Sequence, residues 1–331
     1  MKLRNQSTFL CALLLTACSS SPKGTSPVTL PSKVKAYVGL FGDNAVAVVD
    51  TDTNRVTKTI PVPAGPHGVV VTPDGAKVFV SSDGSSTVSV ISTVTDAVVA
   101  SIDVGMTPHG LSISGDGKRI LCAGFGTDSA QVIDSATNQV VTTVAVPRPH
   151  NSTISPDGKL AYVGSQLKDN PSIAVVDLDA GSVIASMPLA SAPRALDFAP
   201  GGKVYFTVTG VDGLESLDPA TDELATAPVA TGGSPHHMIA TKDGNFELVV
   251  SQTAGDLEYV DRNTQAVVAH VPTGKAPHWI GLGPGGGRAY VTNESSNTVS
   301  VVDIARRQVV ASIPVGNGPR KIAVQPLVAG P

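Results

Sequence analysis

Residues 288–324, RAYVTNESSNTVSVVDIARRQVVASIPVGNGPRKIAV, hold four short β-rich runs. The first run, 288–293, stops at the turn-forming Glu294-Ser295-Ser296-Asn297. Residues 298–303 alternate apolar and polar with period two, 308–315 form a third run, and 321–324 follow Gly318-Pro319 as the fourth. Period-two alternation, β-branched residues and Gly, Pro, Asn and Asp punctuation predict strands, and the apolar spacing of a helix is absent.

Reading outward, the same pattern fills the chain in seven copies of about 42 residues, each marked by a Pro followed by His or Arg. The prolines are Pro66, Pro108, Pro149, Pro193, Pro235, Pro277 and Pro319, and behind them stand His67, His109, His150, Arg194, His236, His278 and Arg320. A tight turn recurs in register as Pro73-Asp74-Gly75, Gly115-Asp116-Gly117, Pro156-Asp157-Gly158, Pro200-Gly201-Gly202, Lys242-Asp243-Gly244 and Pro284-Gly285-Gly286, with Gly supplying a positive φ. Asp50, Asp134, Asp177, Asp218, Asp261 and Asp303 each end one strand, where a carboxylate accepts bonds from the next turn, a structural role. Four strands per unit and seven units predict an all-β fold, a seven-bladed β-propeller with four-stranded antiparallel blades. The copies begin out of phase with the chain, so residues 321–325 are expected to pair with 36–40 and close the ring from both ends, removing two free sheet edges.

Tyr290-Val291-Thr292-Asn293, followed by Thr298-Val299-Ser300-Val301-Val302-Asp303, resembles the YVTN-type β-propeller repeat. Ala36-Tyr37-Val38, Leu160-Ala161-Tyr162-Val163 and the Pro-Asp-Gly turns are similar to it as well. The resemblance covers residues 33–327 and implies the propeller fold. That family spans surface-layer proteins, periplasmic binding proteins and proteins of no known activity, so it leaves function open.

The N-terminus reads as targeting. Lys2 and Arg4 precede an apolar run, 9–15, too short to span a bilayer. Leu15-Thr16-Ala17-Cys18 resembles a bacterial lipobox, which implies a signal peptide at 1–17, lipidation of Cys18 and attachment to a membrane of the cell envelope; Ser19 points to the outer membrane, periplasmic side. Residues 18–32 read as the lipidated Cys and a Ser/Thr/Pro-rich tether, 33–327 as the propeller and 328–331 as a tail. Of 23 Lys and Arg against 27 Asp and Glu, Lys2 and Arg4 leave with the signal, so the formal charge falls from −4 to −6. That acidic balance, with aromatics at 4%, speaks against nucleic acid. The expected partners are the membrane, through the lipid, and a small ligand or envelope protein, with the chain itself a monomer. Cys11 also leaves with the signal, so Cys122, in an apolar run, is the only thiol besides Cys18.

In a propeller the loops leading into the inner strands share one face with the loops between second and third strands. The first set carries the His/Arg column, and the second carries Asp43, Asp83, Asp128, Asp169, Asp212 and Glu294, with Trp279, the only Trp, just inside. A polar funnel on a rigid scaffold is a natural binding site. No catalytic residue can be named. The leading reading is binding of a small ligand or protein partner on the His/Arg-lined face. A second is a metal-dependent enzyme, with copper or zinc on His67, His109, His150, His236 and His278, since neutral imidazoles are common ligands for these metals. Nitrous oxide reductase and related copper enzymes are similar in outline, with inner-strand histidines around a propeller axis. Arg194 and Arg320 could then hold an anionic substrate. A lactonase-like hydrolase is the third, by resemblance to propellers of the six-phosphogluconolactonase type. His237 and His270 read as structural or solvated. The chain has no G-x-S-x-G elbow, C-x-x-C-H, P-loop or EF-hand loop.

Overall fold

The computed structural model describes residues 33–327. The signal peptide, Cys18, the tether and the tail therefore lie outside the described residues. Seven antiparallel sheets form the ring, and no helix occurs among the described residues. We number the blades by inner strand: Pro66–Val71 (blade 1), Pro108–Ile113 (2), Pro149–Ile154 (3), Pro193–Phe198 (4), Pro235–Ala240 (5), Pro277–Leu282 (6) and Pro319–Val324 (7). In each blade the second, third and fourth strands follow outward.

Burial explains the stacking. Second and third strands are apolar on both faces, as in Lys35–Leu40 and Ala45–Asp50 of blade 7, which are buried almost throughout. Outer strands alternate instead, as in Gln139–Ala145. Each gap between neighbouring blades therefore holds its own core. Tyr37, Val46, Val48 and Ile60 of blade 7 pack on Val69, Val78, Val80 and Ile91 of blade 1, and six comparable clusters complete the circle. Cys122 is a packed member of the cluster between blades 1 and 2, its thiol pushed up by burial.

The ring closes as expected from the repeat phase. Ala36 pairs with Val324, Tyr37 with Ala323, Val38 with Ile322 and Leu40 with Pro319, so the terminal segments share blade 7. Asp96 of blade 1 clamps that blade from outside, accepting from the Tyr37 hydroxyl at 2.7 Å and Lys35 Nζ at 2.7 Å. The strand-ending aspartates act as turn caps: Asp50 Oδ1 accepts from the Asp52 and Thr53 N–H groups, and Asp261 Oδ1 from Asn263 and Thr264.

Blade 4 departs from four regular strands. Its outer strand is split into Glu223–Leu224 and Val229–Ala230, both paired to the same third strand. Pro228, which has no N–H to give a ladder, sits in the break.

Candidate functional site

The loops leading into the inner strands hold the His/Arg column in a strained frame. The residue before the repeat Pro has a positive φ in six of the seven blades: Gly65, Thr107, Arg148, Ser234, Ala276 and Gly318. Four of these are not glycine, and such backbone costs about 1 kcal/mol or more apiece. Part of the carboxylate set expected at the funnel supports these loops. Asp128 Oδ1 accepts from Arg148 N at 2.9 Å, Asp212 Oδ1 from Ser234 N at 2.7 Å, and Asp43 Oδ2 from Asn317 N at 2.7 Å. They are structural caps. Asp169 lies at the rim, in a cleft of about 530 Å³ with Gln166 and Lys168.

The carboxylates that do enter the funnel, Asp83 and Glu294, are the first residues after their second strands. That position flanks the His or Arg of the following blade. Glu294 Oε1 accepts from Arg320 Nε at 2.9 Å, and Arg320 also lies over the Phe41 ring, 3.5 Å from its centre. Arg320, one of the two arginines expected to hold an anionic substrate, is thus already paired with a carboxylate. Arg194 has no carboxylate partner among the described residues and bonds Ser234 Oγ at 3.0 Å.

The five expected histidines gather with tilted rings in two groups that meet edge-on where His67 lies 5.8 Å from His278. His67, His109 and His150 form a run with ring centres 3.7 and 4.0 Å apart, and His236 and His278 lie 4.1 Å apart. Burial lowers the pKa of all five. Neighbouring positive charge adds to this, and His150 falls to about 4 and His236 to about 3. All are therefore neutral at pH 7, the form that offers a nitrogen lone pair.

What the rings can do depends on the carbonyl of the next blade. His109, His150 and His236 direct Nδ1 to the carbonyl oxygens of His150, Arg194 and His278 at 3.0, 3.0 and 3.1 Å. A carbonyl only accepts, so Nδ1 carries the proton and Nε2 the lone pair in His109 and His236; at His150 the Asn151 amide nitrogen, itself a donor, also lies 3.0 Å from Nδ1 and bonds Arg194 O at 2.6 Å. In blades 1 and 6 a second-strand hydroxyl takes the corresponding carbonyl first: Ser81 bonds His109 O, and Thr292 bonds Arg320 O at 2.5 Å. His67 Nδ1 and His278 Nδ1 are left buried without a partner.

Asp83 completes the first of these. Its Oδ2 lies 3.8 Å from His109 Nε2, its Oδ1 is buried without a partner, and burial raises its carboxyl to about 7 against the pull of Arg320 and Lys321. One ligand atom each from His67, Asp83 and His109 lies within 4.8 Å of the others. A tetrahedral metal with bonds of about 2.1 Å needs ligand atoms about 3.4 Å apart, a small side-chain adjustment. Of the five histidines expected as metal ligands, this grouping holds His67 and His109, and it adds Asp83.

Sequence reasoning missed Lys321. It follows Arg320 on the closing strand, in the column Gly68, Gly110, Asn151, Ala195, His237, Trp279 and Lys321 just behind the His/Arg residues. Lys321 is 1% exposed, crosses the channel to donate from Nζ to Asn151 Oδ1 at 2.6 Å, and sits 3.9 Å from the Trp279 ring centre. Burial lowers its pKa to about 7 even though Asp83 pulls it upward. Trp279 stacks on His237 with ring centres 3.5 Å apart, and His237 Nδ1 accepts from Ile280 N at 3.2 Å. His237 is structural, as expected; His270, 56% exposed on an outer strand, faces Asp256 and Glu258 at 3.8 and 3.6 Å.

Comparison with known proteins agrees with the architecture. The family profile of YNCE-like beta-propellers matches residues 1–326. No curated protein sequence matches the chain. Among solved structures, Kuenenia stuttgartiensis hydrazine synthase is 22% identical with a TM-score of 0.74, covering 87% of this chain and 99% of that one. The Pseudomonas aeruginosa periplasmic gluconolactonase is 20% identical with a TM-score of 0.70, covering 91% and 100%. Citrobacter koseri AztD is 17% identical with a TM-score of 0.66, covering 90% and 100%. At these identities the likeness is one of fold alone. By profile and by ring, the chain belongs to the YNCE-like beta-propeller family.

Proposed function

We propose that this chain is an exported, lipid-anchored propeller of the bacterial envelope whose funnel throat captures a transition-metal ion, zinc or copper, on His67, Asp83 and His109. The observation that carries the reading is a pair of buried atoms without partners, His67 Nδ1 and Asp83 Oδ1, in the one group among the described residues whose ligand atoms lie within 4.8 Å of one another. Buried polar atoms of folded proteins are paired almost without exception, so an unpartnered set of lone pairs is suited to a cation. Two imidazoles and a carboxylate form a donor set appropriate to zinc, and three protein ligands leave a fourth position open. The broader expectation of a small-ligand funnel is thereby narrowed to an ion and whatever shares that position.

The test is metal content by mass spectrometry on protein made without a His-tag, before and after incubation with zinc or copper. About one equivalent in the wild type, lost in His67→Asn and in Asp83→Asn with melting unchanged, is the expected result. Metal-free wild type after incubation refutes it.

A lactonase-like hydrolase is the second reading, favoured by a carboxyl raised to about 7 beside neutral imidazoles. A base of that strength can take a proton from bound water near neutral pH. Hydrolysis of gluconolactone by wild type and not by Asp83→Asn would support it, and an unreactive wild type would reject it.

A further inference from the structure

We propose that the floor of the funnel is a binding site for a small carboxylate anion, received on the propeller axis by Lys321. An ammonium has three N–H donors. Asn151 Oδ1 takes one at 2.6 Å and the Trp279 face lies against the charge, while no second acceptor bonds Nζ among the described residues. Nearly complete burial makes those unfilled donors costly unless a ligand uses them.

The surrounding charges point to an anion. Arg320 is neutralised by Glu294, whereas Arg194 has no carboxylate partner among the described residues. Among the described residues Asp83 is the carboxylate whose charge acts on Lys321, and it makes no hydrogen bond to it. A divalent metal on His67, Asp83 and His109 would add to the positive charge. A carboxylate bound to Lys321 would offset part of that charge and use its free donors. The anion shares the throat with the proposed metal, but Lys321 binds it without one.

Trp279 is the only tryptophan of the chain, so its fluorescence reports on this floor alone. Chelator-treated protein would be titrated at pH 6 with sodium acetate, against sodium chloride at equal ionic strength. The expected result is a saturable change with acetate and none with chloride. It should weaken at least tenfold in Lys321→Met, survive in Lys321→Arg, and survive in His67→Asn, in which metal binding is lost. Identical responses to acetate and chloride in the wild type overturn the site, whatever the variants do. An undiminished response in a folded Lys321→Met overturns it equally. Protein that takes up no zinc or copper on incubation yet binds acetate through Lys321 would defeat the metal reading and leave the anion site standing.

Discussion

The aspartates of the tight-turn face and Asp83 of the funnel face use the same side chain in opposite ways. On the face of the tight turns, Asp116 Oδ1 accepts from Ser114 Oγ at 2.7 Å and Lys118 N at 3.0 Å, Asp157 from Ser155 at 2.6 Å and Lys159 at 3.1 Å, and Asp243 from Thr241 at 2.6 Å and Asn245 at 3.1 Å. The hydroxyl and backbone donors hold all three carboxyls below the ordinary value. On the funnel face Asp83 has no donor and burial raises it to about 7. Backbone does not separate the faces: left-handed non-glycine residues stand in the funnel loops at Thr107, Arg148, Ser234 and Ala276, and on the other face at Asn54, Asp96, Asn138, Asp222, Gln265 and Arg307. What sets the funnel face apart is bonding that differs from blade to blade. Unpaired polar atoms on an otherwise regular scaffold mark a place where the chain departs from what stability alone favours.

Ring closure underlies both faces, and breaking it should have the largest effect. Truncation after Gly318 removes the inner strand of blade 7 together with Arg320 and Lys321, and should abolish cooperative unfolding by circular dichroism. An unchanged melting temperature would refute the closure.

The next effect separates the faces directly. Asp83→Asn should lower zinc affinity by about 100-fold or more, with stability kept or raised. Asp116→Asn should leave zinc affinity untouched in the same calorimetric titration.

Stability against pH sharpens the contrast. Asp83 holds its proton more tightly folded than unfolded, so its contribution is lost as pH rises from 3.8 toward about 7. Lys321 holds its proton less tightly when folded, so stability is gained as pH rises from about 7 toward 10.5. Asp116, held low, contributes stability that disappears as pH falls below 3.8. Differences in melting temperature between wild type and Asp83→Asn, Lys321→Met or Asp116→Asn should fall in those three windows; superimposable curves would contradict the assignment.

Smaller effects follow from the turns and loops. Asp157→Ala should cost about 1 kcal/mol by chemical denaturation, the usual net worth of such bonding. Ala276→Gly should stabilise by less than about 1 kcal/mol, since relief of the left-handed backbone is partly offset by the added freedom of the unfolded chain.

Much of this was legible in residues. The period, the turn glycines and the phase of the termini led to seven blades and a shared closing blade, because each repeat writes the same strand and turn chemistry. The break at Pro228 was missed because a short run of Ala and Thr around it still resembles a strand. The His/Arg column was visible as a column, but its division into Nδ1-bonded and free rings was not. That division is decided by Ser81 and Thr292, hydroxyls on a different strand competing for the same carbonyls. Asp83 was indistinguishable from the other loop carboxylates until the loops placed it first after its strand. Lys321 reads as a surface cation beside Arg320, and only the closed ring sets it across the axis from Asn151, 170 residues away.

Anomalous diffraction at the zinc edge, from crystals of zinc-incubated protein, tests the central claim most directly. A single strong peak about 2.0–2.2 Å from a ring nitrogen of His67, a carboxylate oxygen of Asp83 and a ring nitrogen of His109 is the result the account requires. A peak placed instead among His150, His236 and His278, or a throat with no peak, would contradict it.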